Sequence, residues 1–224
     1  MKVLLLAAGR GERMRDLTLE KPKPLLYVRG KSLIEHQIER LVYYGYYDFV
    51  INVSYMANDI IAHLGYGEKW GCNIVYSHES RSPLETGGGI IQALPLLSDP
   101  FLVVNADIWT NYDFSQLKSF DLSEVLGCLV LVKNPSHNLG GDYSSGHHGR
   151  LSVSDRKDFT FSGISCLKKE LFNKFEIGRF IKLSSIFECG IKKNQLVATL
   201  FNGYWVDVGT PERLLEIQNT NFSK

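Results

Sequence analysis

Four short stretches hold residue types whose spacing suits phosphate chemistry. The first is Ala7-Ala8-Gly9-Arg10-Gly11-Glu12-Arg13-Met14, followed by Lys21-Pro22-Lys23-Pro24-Leu25. Successive N–H groups in a glycine turn form a nest for phosphate oxygens, and glycine lets backbone approach a ligand closely. Arg13 adds a planar fork and Lys23 a point charge. Pro22 and Pro24 stiffen the chain around that lysine. A glycine turn alone is equally a plain loop, and this one matches neither G-x-x-x-x-G-K-[ST] nor G-x-G-x-x-G. The second stretch, Phe101 to Asp107, sets Asn105 and Asp107 after an aliphatic run, where an aspartate either caps a helix or points into a ligand crevice. The third, Tyr204 to Pro211, puts Asp207 between apolar residues before Gly209. Two carboxylates converging on one crevice suit Mg²⁺, which takes one or two carboxylates together with phosphate oxygens and water. In the fourth, Leu84-Glu85-Thr86-Gly87-Gly88-Gly89, bare backbone can lie flat against a ring; the plainer reading is a helix start capped by Glu85 and Thr86.

The elements that must hold these groups follow from hydrophobic patterning. Val3–Ala8 reads as a buried strand. Ser32 and Glu35 form a capping box ahead of the stripe Leu33, Ile34, Ile38, Leu41 and Val42, which Gly45 ends. Strands at 49–53, 72–77, 101–105 and 125–132 alternate with helices at 58–64 and 89–97, and 196–208 holds one or two more strands. This predicts an α/β fold, a Rossmann-like three-layer sandwich with a mostly parallel mixed sheet. Ligands then bind beyond the carboxyl ends of the strands. Residues 1–224 are expected to form a single domain, with a loop or hairpin inserted over 134–160.

Lys plus Arg total 25 against 24 Asp plus Glu, a formal net charge of +1. This balance argues against a nucleic-acid or membrane-surface partner, and any anionic ligand must be held by a local cluster of cations. Cys72, Cys128, Cys166 and Cys189 have no metal-type spacing and read as reduced, buried thiols. No apolar run reaches the roughly 18 residues of a membrane span. A cytoplasmic protein is expected, a monomer or weak homodimer. His147-His148 on a glycine-rich stretch reads as surface rather than metal site, and the tyrosines around Gly45 as packing at a helix end.

The whole pattern L-A-A-G-x-G-x-R-M, K-P-K-P-L and W-x-D-x-G-T-P resembles the sugar-1-phosphate nucleotidyltransferases, and the resemblance runs from residue 2 to about 218. It implies an Mg²⁺-dependent enzyme whose partners are a nucleoside triphosphate and a sugar 1-phosphate. Asp107 and Asp207 would hold the metal, and Arg13 and Lys23 would act on the phosphates. Ala8, Gly9, Gly11, Glu12, Glu85, Thr86, Gly87 and Gly88 would contact the nucleotide. Asn105, Gly141, Asp142, Asp155 and Ser162 would face the sugar and ribose. The stretches Leu84–Gly89, Trp109–Phe114, Asn134-Pro135 with His137, Gly141-Asp142 and Phe159–Ser165 are similar to the branch that joins UTP to N-acetylmuramic acid 1-phosphate; short mannose-1-phosphate guanylyltransferases are the alternative. The chain departs from many relatives in lacking an E-K-P triplet: Asp155 occupies roughly that place, and Lys182 is a candidate replacement for the lysine. A non-catalytic nucleotide-sugar-binding regulator would be expected to lose Arg13, Lys23 or an aspartate, and all are present. A dinucleotide-dependent dehydrogenase would need a G-x-G-x-x-G after the first strand.

Overall fold

The computed structural model describes residues 1–79, 84–146, 149–152 and 157–219. Strand β1 (Lys2–Leu6) is apolar from Val3 onward, as suits a strand bonded on both edges and covered on both faces. Val3 and Leu5 face one core cluster and Leu4 the other, all with no solvent exposure. A short ribbon, β2 (Tyr27–Val28) with β3 (Lys31–Ser32), leads into α1 (Leu33–Tyr43). The capping box forms as expected: Ser32 Oγ accepts the Glu35 amide at 3.4 Å, and the Glu35 carboxylate accepts the Ser32 amide at 2.8 Å. Then come β4 (Asp48–Val53), α2 (Ala57–Leu64), β5 (Asn73–His78), α3 (Glu85–Ala93) and β6 (Phe101–Asn105). The remainder is β7 (Ile108–Thr110), α4 (Ser115–Lys118), β8 (Gly127–Lys133), β9 (Ser144–Ser145), β10 (Leu151–Ser152), β11 (Phe159–Leu167), α5 (Leu183–Lys192), β12 (Leu196–Leu200), β13 (Trp205–Asp207) and α6 (Pro211–Asn219).

Seven strands make one sheet in the order β12-β8-β11-β6-β1-β4-β5, and only β11 runs against the others. Ile34, Ile38 and Leu41 of α1 and Ile60 and Leu64 of α2 cover one face. Ile90 and Ile91 of α3 and Ile186 and Phe187 of α5 cover the other. This is the mostly parallel three-layer sandwich expected. The carboxyl ends of β1, β4 and β6, where Leu6, Asn52 and Asn105 stand in register, open onto one side.

The structure refines three expectations. The strand β11 is absent from the hydrophobic reading because Thr160, Ser162, Gly163 and Ser165 interrupt its apolar run. Those polar residues are nonetheless buried, and the register shifts between Phe161 and Ser165, a bulge centred beside Asn105. The stretch anticipated as an insertion over 134–160 therefore ends where β11 begins, at Phe159, and the hairpin within it is β9 with β10. The segment 196–208 is two strands in different sheets: β12 joins the main sheet, whereas β13 pairs with β7, Asp207 opposite Ile108.

Candidate active site

The first loop folds around Gly11, whose backbone is left-handed at φ 68° and whose carbonyl accepts from the Met14 amide at 2.8 Å and Thr18 Oγ1 at 3.1 Å. A Cβ at Gly11 would lie 2.9 Å from Lys23 Cβ, so the glycine also lets the Lys-Pro segment pack against this loop. Lys23 is buried, and its ammonium donates to Asp107 Oδ2. Arg13 is exposed, and its guanidinium has no hydrogen-bond partner among the described residues.

Asp107 follows β6, and its backbone carbonyl accepts the Val208 amide at 2.8 Å. The β7–β13 ribbon thereby brings Asp207 next to Asp107 although 100 positions separate them in sequence. Asp207 Oδ1 accepts from Arg213 Nη1 and lies 2.8 Å from His137 Nε2. Each carboxylate keeps one oxygen, Asp107 Oδ1 and Asp207 Oδ2, with no donor among the described residues. Two carboxylates on the wall of one cavity, each with an uncommitted oxygen, fit an octahedral cation that takes its other ligands from phosphate and water.

Two cavities meet here. The larger, about 1000 Å³, is walled by the first loop, including Ala8, Gly9, Gly11 and Glu12, and by Lys23. Its other side is formed by Asn52, Glu79, Glu85 and Thr86. The smaller, about 330 Å³, is walled by His137, Asn138, Thr160, Phe161, Trp205 and Asp207. Arg13, Asn105 and Asp107 belong to both. A chain of near-zero net charge thus concentrates Arg13 and Lys23 beside the carboxylates at one boundary, the local cluster the composition demands.

Several anticipated contacts fall elsewhere. Gly87 and Gly88 line neither cavity: a Cβ there would lie 2.6 Å from Ile181 O and 2.4 Å from Arg179 O, so these glycines admit the 179–181 backbone against α3. Gly141 packs on Asn134 and the Lys157 carbonyl. Asp142 accepts from the Phe161 amide at 2.8 Å and from Asn138 Nδ2 at 3.2 Å, so it ties the loop to β11 instead of facing a cavity. Ser162 borders the smaller cavity, but its hydroxyl is fully buried and donates to the Val130 carbonyl at 2.8 Å. Lys182 is exposed and borders neither cavity. Asp155 lies outside the described residues, as do His147 and His148.

Other groups at the two cavities had been given no role from the sequence. Asn52 accepts the Ala7 amide at 2.9 Å and donates to Glu79 Oε1 at 2.6 Å. Burial pushes the Glu79 carboxyl above its ordinary pKa, against hydrogen bonds from the Leu84 amide and Asn52 that favour the anion. The available signals were a lone amide inside Phe49–Val53 and an acid just past a strand, both at carboxyl ends. Trp205, inside the C-terminal motif, borders the smaller cavity and donates from Nε1 to the Ser162 carbonyl at 2.8 Å.

Comparison with known proteins agrees with this geometry. A family model described as nucleotidyl transferase matches residues 2–136. The chain is 43% identical, over 97% of each sequence, to an N-acetylmuramate alpha-1-phosphate uridylyltransferase of Neisseria meningitidis. It is 33% identical to a mannose-1-phosphate guanyltransferase of Gibberella zeae, with 96% of this chain matched but only 62% of that relative's length. Among solved structures, HddC of Yersinia pseudotuberculosis complexed with GMP-PN superposes with a TM-score of 0.79 at 21% identity, over 97% of both chains. An inositol-1-phosphate CTP transferase of T. maritima gives 0.79 at 19% identity, over 97% of this chain and 96% of that one, a likeness of fold. The chain belongs to the nucleotidyl transferase family, as a sugar-1-phosphate nucleotidyltransferase.

Proposed function

We propose that the chain joins UTP to N-acetylmuramic acid 1-phosphate in the presence of Mg²⁺, releasing pyrophosphate. The observation that carries the reaction type is the wall of Arg13, Asn105 and Asp107 common to two cavities of unequal size. A nucleotide in the larger and a sugar in the smaller would bring their phosphates together at that wall. An oxygen of the sugar phosphate attacks the α-phosphorus, a new P–O bond forms, and the bond to the β-phosphate breaks with its electron pair leaving on pyrophosphate. The attacking phosphate has a second pKa of about 6 and is ionised near neutrality, so no general base is required. Positioning and charge neutralisation then supply the rate.

In this reading Asp107 and Asp207 hold Mg²⁺, which when bound neutralises charge on both phosphates. Lys23, whose ammonium lies on Asp107, would align the attacking phosphate. Arg13, with no hydrogen-bond partner among the described residues, binds the departing phosphates. Asn52, Glu79, Glu85 and Thr86 would surround the base, while Gly87 and Gly88 act only by letting α3 pack. Asn105 and Asn138 offer short polar groups to a sugar. A sugar with a carboxylate substituent would meet His137 on the wall of the smaller cavity, which matters because an unpaired carboxylate loses several kcal/mol of hydration on burial.

Similarity to the Neisseria relative over nearly its whole length favours this substrate pair. Similarity to the guanyltransferase supports GTP with mannose 1-phosphate as the second reading. Comparing kcat/KM for the two pairs separates them. A tenfold or greater preference for the uridylyl pair is expected, about 1.4 kcal/mol of transition-state binding. The reverse preference would leave the reaction class and remove the muramyl assignment.

A further inference from the structure

Arg213 stands in the first turn of α6, and no motif in the sequence singles it out. Its side chain is 12% exposed, and Nη1 both donates to Asp207 Oδ1 and lies 2.9 Å from His137 Nε2. Gly209 leaves room for the approach: a Cβ there would lie 2.5 Å from Arg213 Nη2 and 3.1 Å from Arg13 Nη2. His137 reaches the same carboxylate oxygen from the loop that walls the smaller cavity, and Asn138 beside it is bonded to Thr160 of β11 at 3.1 Å. One carboxylate oxygen is therefore clamped from a helix and a loop, and the other is left open.

We infer that Arg213 is a positioning residue: by clamping Asp207 Oδ1 it fixes the carboxylate so that Oδ2 faces the boundary of the two cavities. The inference rests on the reading of Asp207 as a metal ligand. Charge alone predicts the opposite effect, since a guanidinium beside a carboxylate repels a divalent cation and its loss would tighten binding. The planar fork is what a positioning role needs, and lysine cannot reproduce it. Partners that orient ligating carboxylates typically contribute 10–100-fold in affinity or activity.

The test uses Mn²⁺ as a spectroscopic stand-in, its binding to protein plus a non-hydrolysable UTP analogue followed by electron paramagnetic resonance. Arg213→Ala should weaken Mn²⁺ binding about tenfold and lower kcat by a similar factor, with KM for UTP changed less than about twofold. Arg213→Lys, which keeps the charge and stands in if the alanine variant does not fold, should remain at least about threefold weaker than the parent. Unchanged or tighter Mn²⁺ binding in the folded variants overturns the inference, and a raised KM for the sugar phosphate alone would make Arg213 a direct anion contact instead. Asp207→Asn is the reference: if it leaves Mn²⁺ binding unaltered, the metal-ligand reading itself fails, whatever Arg213 does.

Discussion

Asp107 and Asp207 each give one oxygen to side chains of the protein itself, Lys23 for the first and Arg213 with His137 for the second. If both hold one metal ion, losing either carboxylate removes a ligand that nothing nearby replaces. Asp107→Ala and Asp207→Ala should each lower kcat by about 100-fold or more, on the order of 3 kcal/mol. Because Asp107→Ala also leaves the buried Lys23 ammonium without its partner, the melting curve must first show a folded protein. Near-normal turnover at saturating Mg²⁺ in a folded variant would refute the two-aspartate site. Arg13 differs in having no hydrogen-bond partner among the described residues. Charge on the departing pyrophosphate grows towards the transition state, so Arg13→Ala should lower kcat much more than it raises KM for the nucleotide. A raised KM at constant kcat would make Arg13 a simple binding residue.

The elements hold these groups through their ends. Helix α1 starts on a carboxylate more heavily used than a usual cap: Glu35 is 3% exposed and accepts from Ser32, from Lys69 Nζ at 2.5 Å and from His63. Burial alone would raise its pKa, but the hydrogen bonds from Lys69, the Ser32 amide and His63 outweigh it and hold the carboxyl far below the carboxylate range. A depressed folded-state pKa gives stability that is fully present above the unfolded value, about 4.3, and is lost as pH falls towards the folded one. Glu35→Gln should therefore cost about 1–2 kcal/mol at pH 7. The gap between variant and parent should narrow below about pH 4. Chemical denaturation at the two pH values checks this, and a gap that stays constant would show that the charge is not what the site uses.

At the scale of the molecule, the site exists only when distant segments meet. Lys23 and Asp107 are 84 positions apart, and Arg213 and His137 are 76 apart. The unfolded chain has no such arrangement, so ligands stabilise only the folded form. UTP with Mg²⁺ at about 100 times its Kd should add about 2.7 kcal/mol. For a chain of this size that is a rise of roughly 5–10 °C in Tm. A midpoint that does not move under those conditions would show that the larger cavity is not where the nucleotide binds.

Much of this was legible in the chain itself. Aliphatic strands alternating with capped helices specify a parallel α/β sheet, because both patterns are local and each must bury a face. Arg13, Lys23, Asp107 and Asp207 could be picked out as candidates because they sit at fixed offsets from strand ends and glycine turns, where loop geometry is decided within a few residues. Tertiary structure decided what depended on the other side of a contact. Strand β11 carries buried polar residues whose partners lie on neighbouring strands, so no periodicity marks it. The glycines after Thr86 read as open backbone for a ring until Arg179 and Ile181 are seen pressed against them. Asp142 and Ser162 are polar enough to bind sugar, yet their hydrogen bonds go to Phe161 and Val130. Arg213 acquires its meaning only from the carboxylate and imidazole beside it. A side chain's type can be read from one position, but its unspent hydrogen bonds depend on every neighbour, and those are known only once the chain has folded.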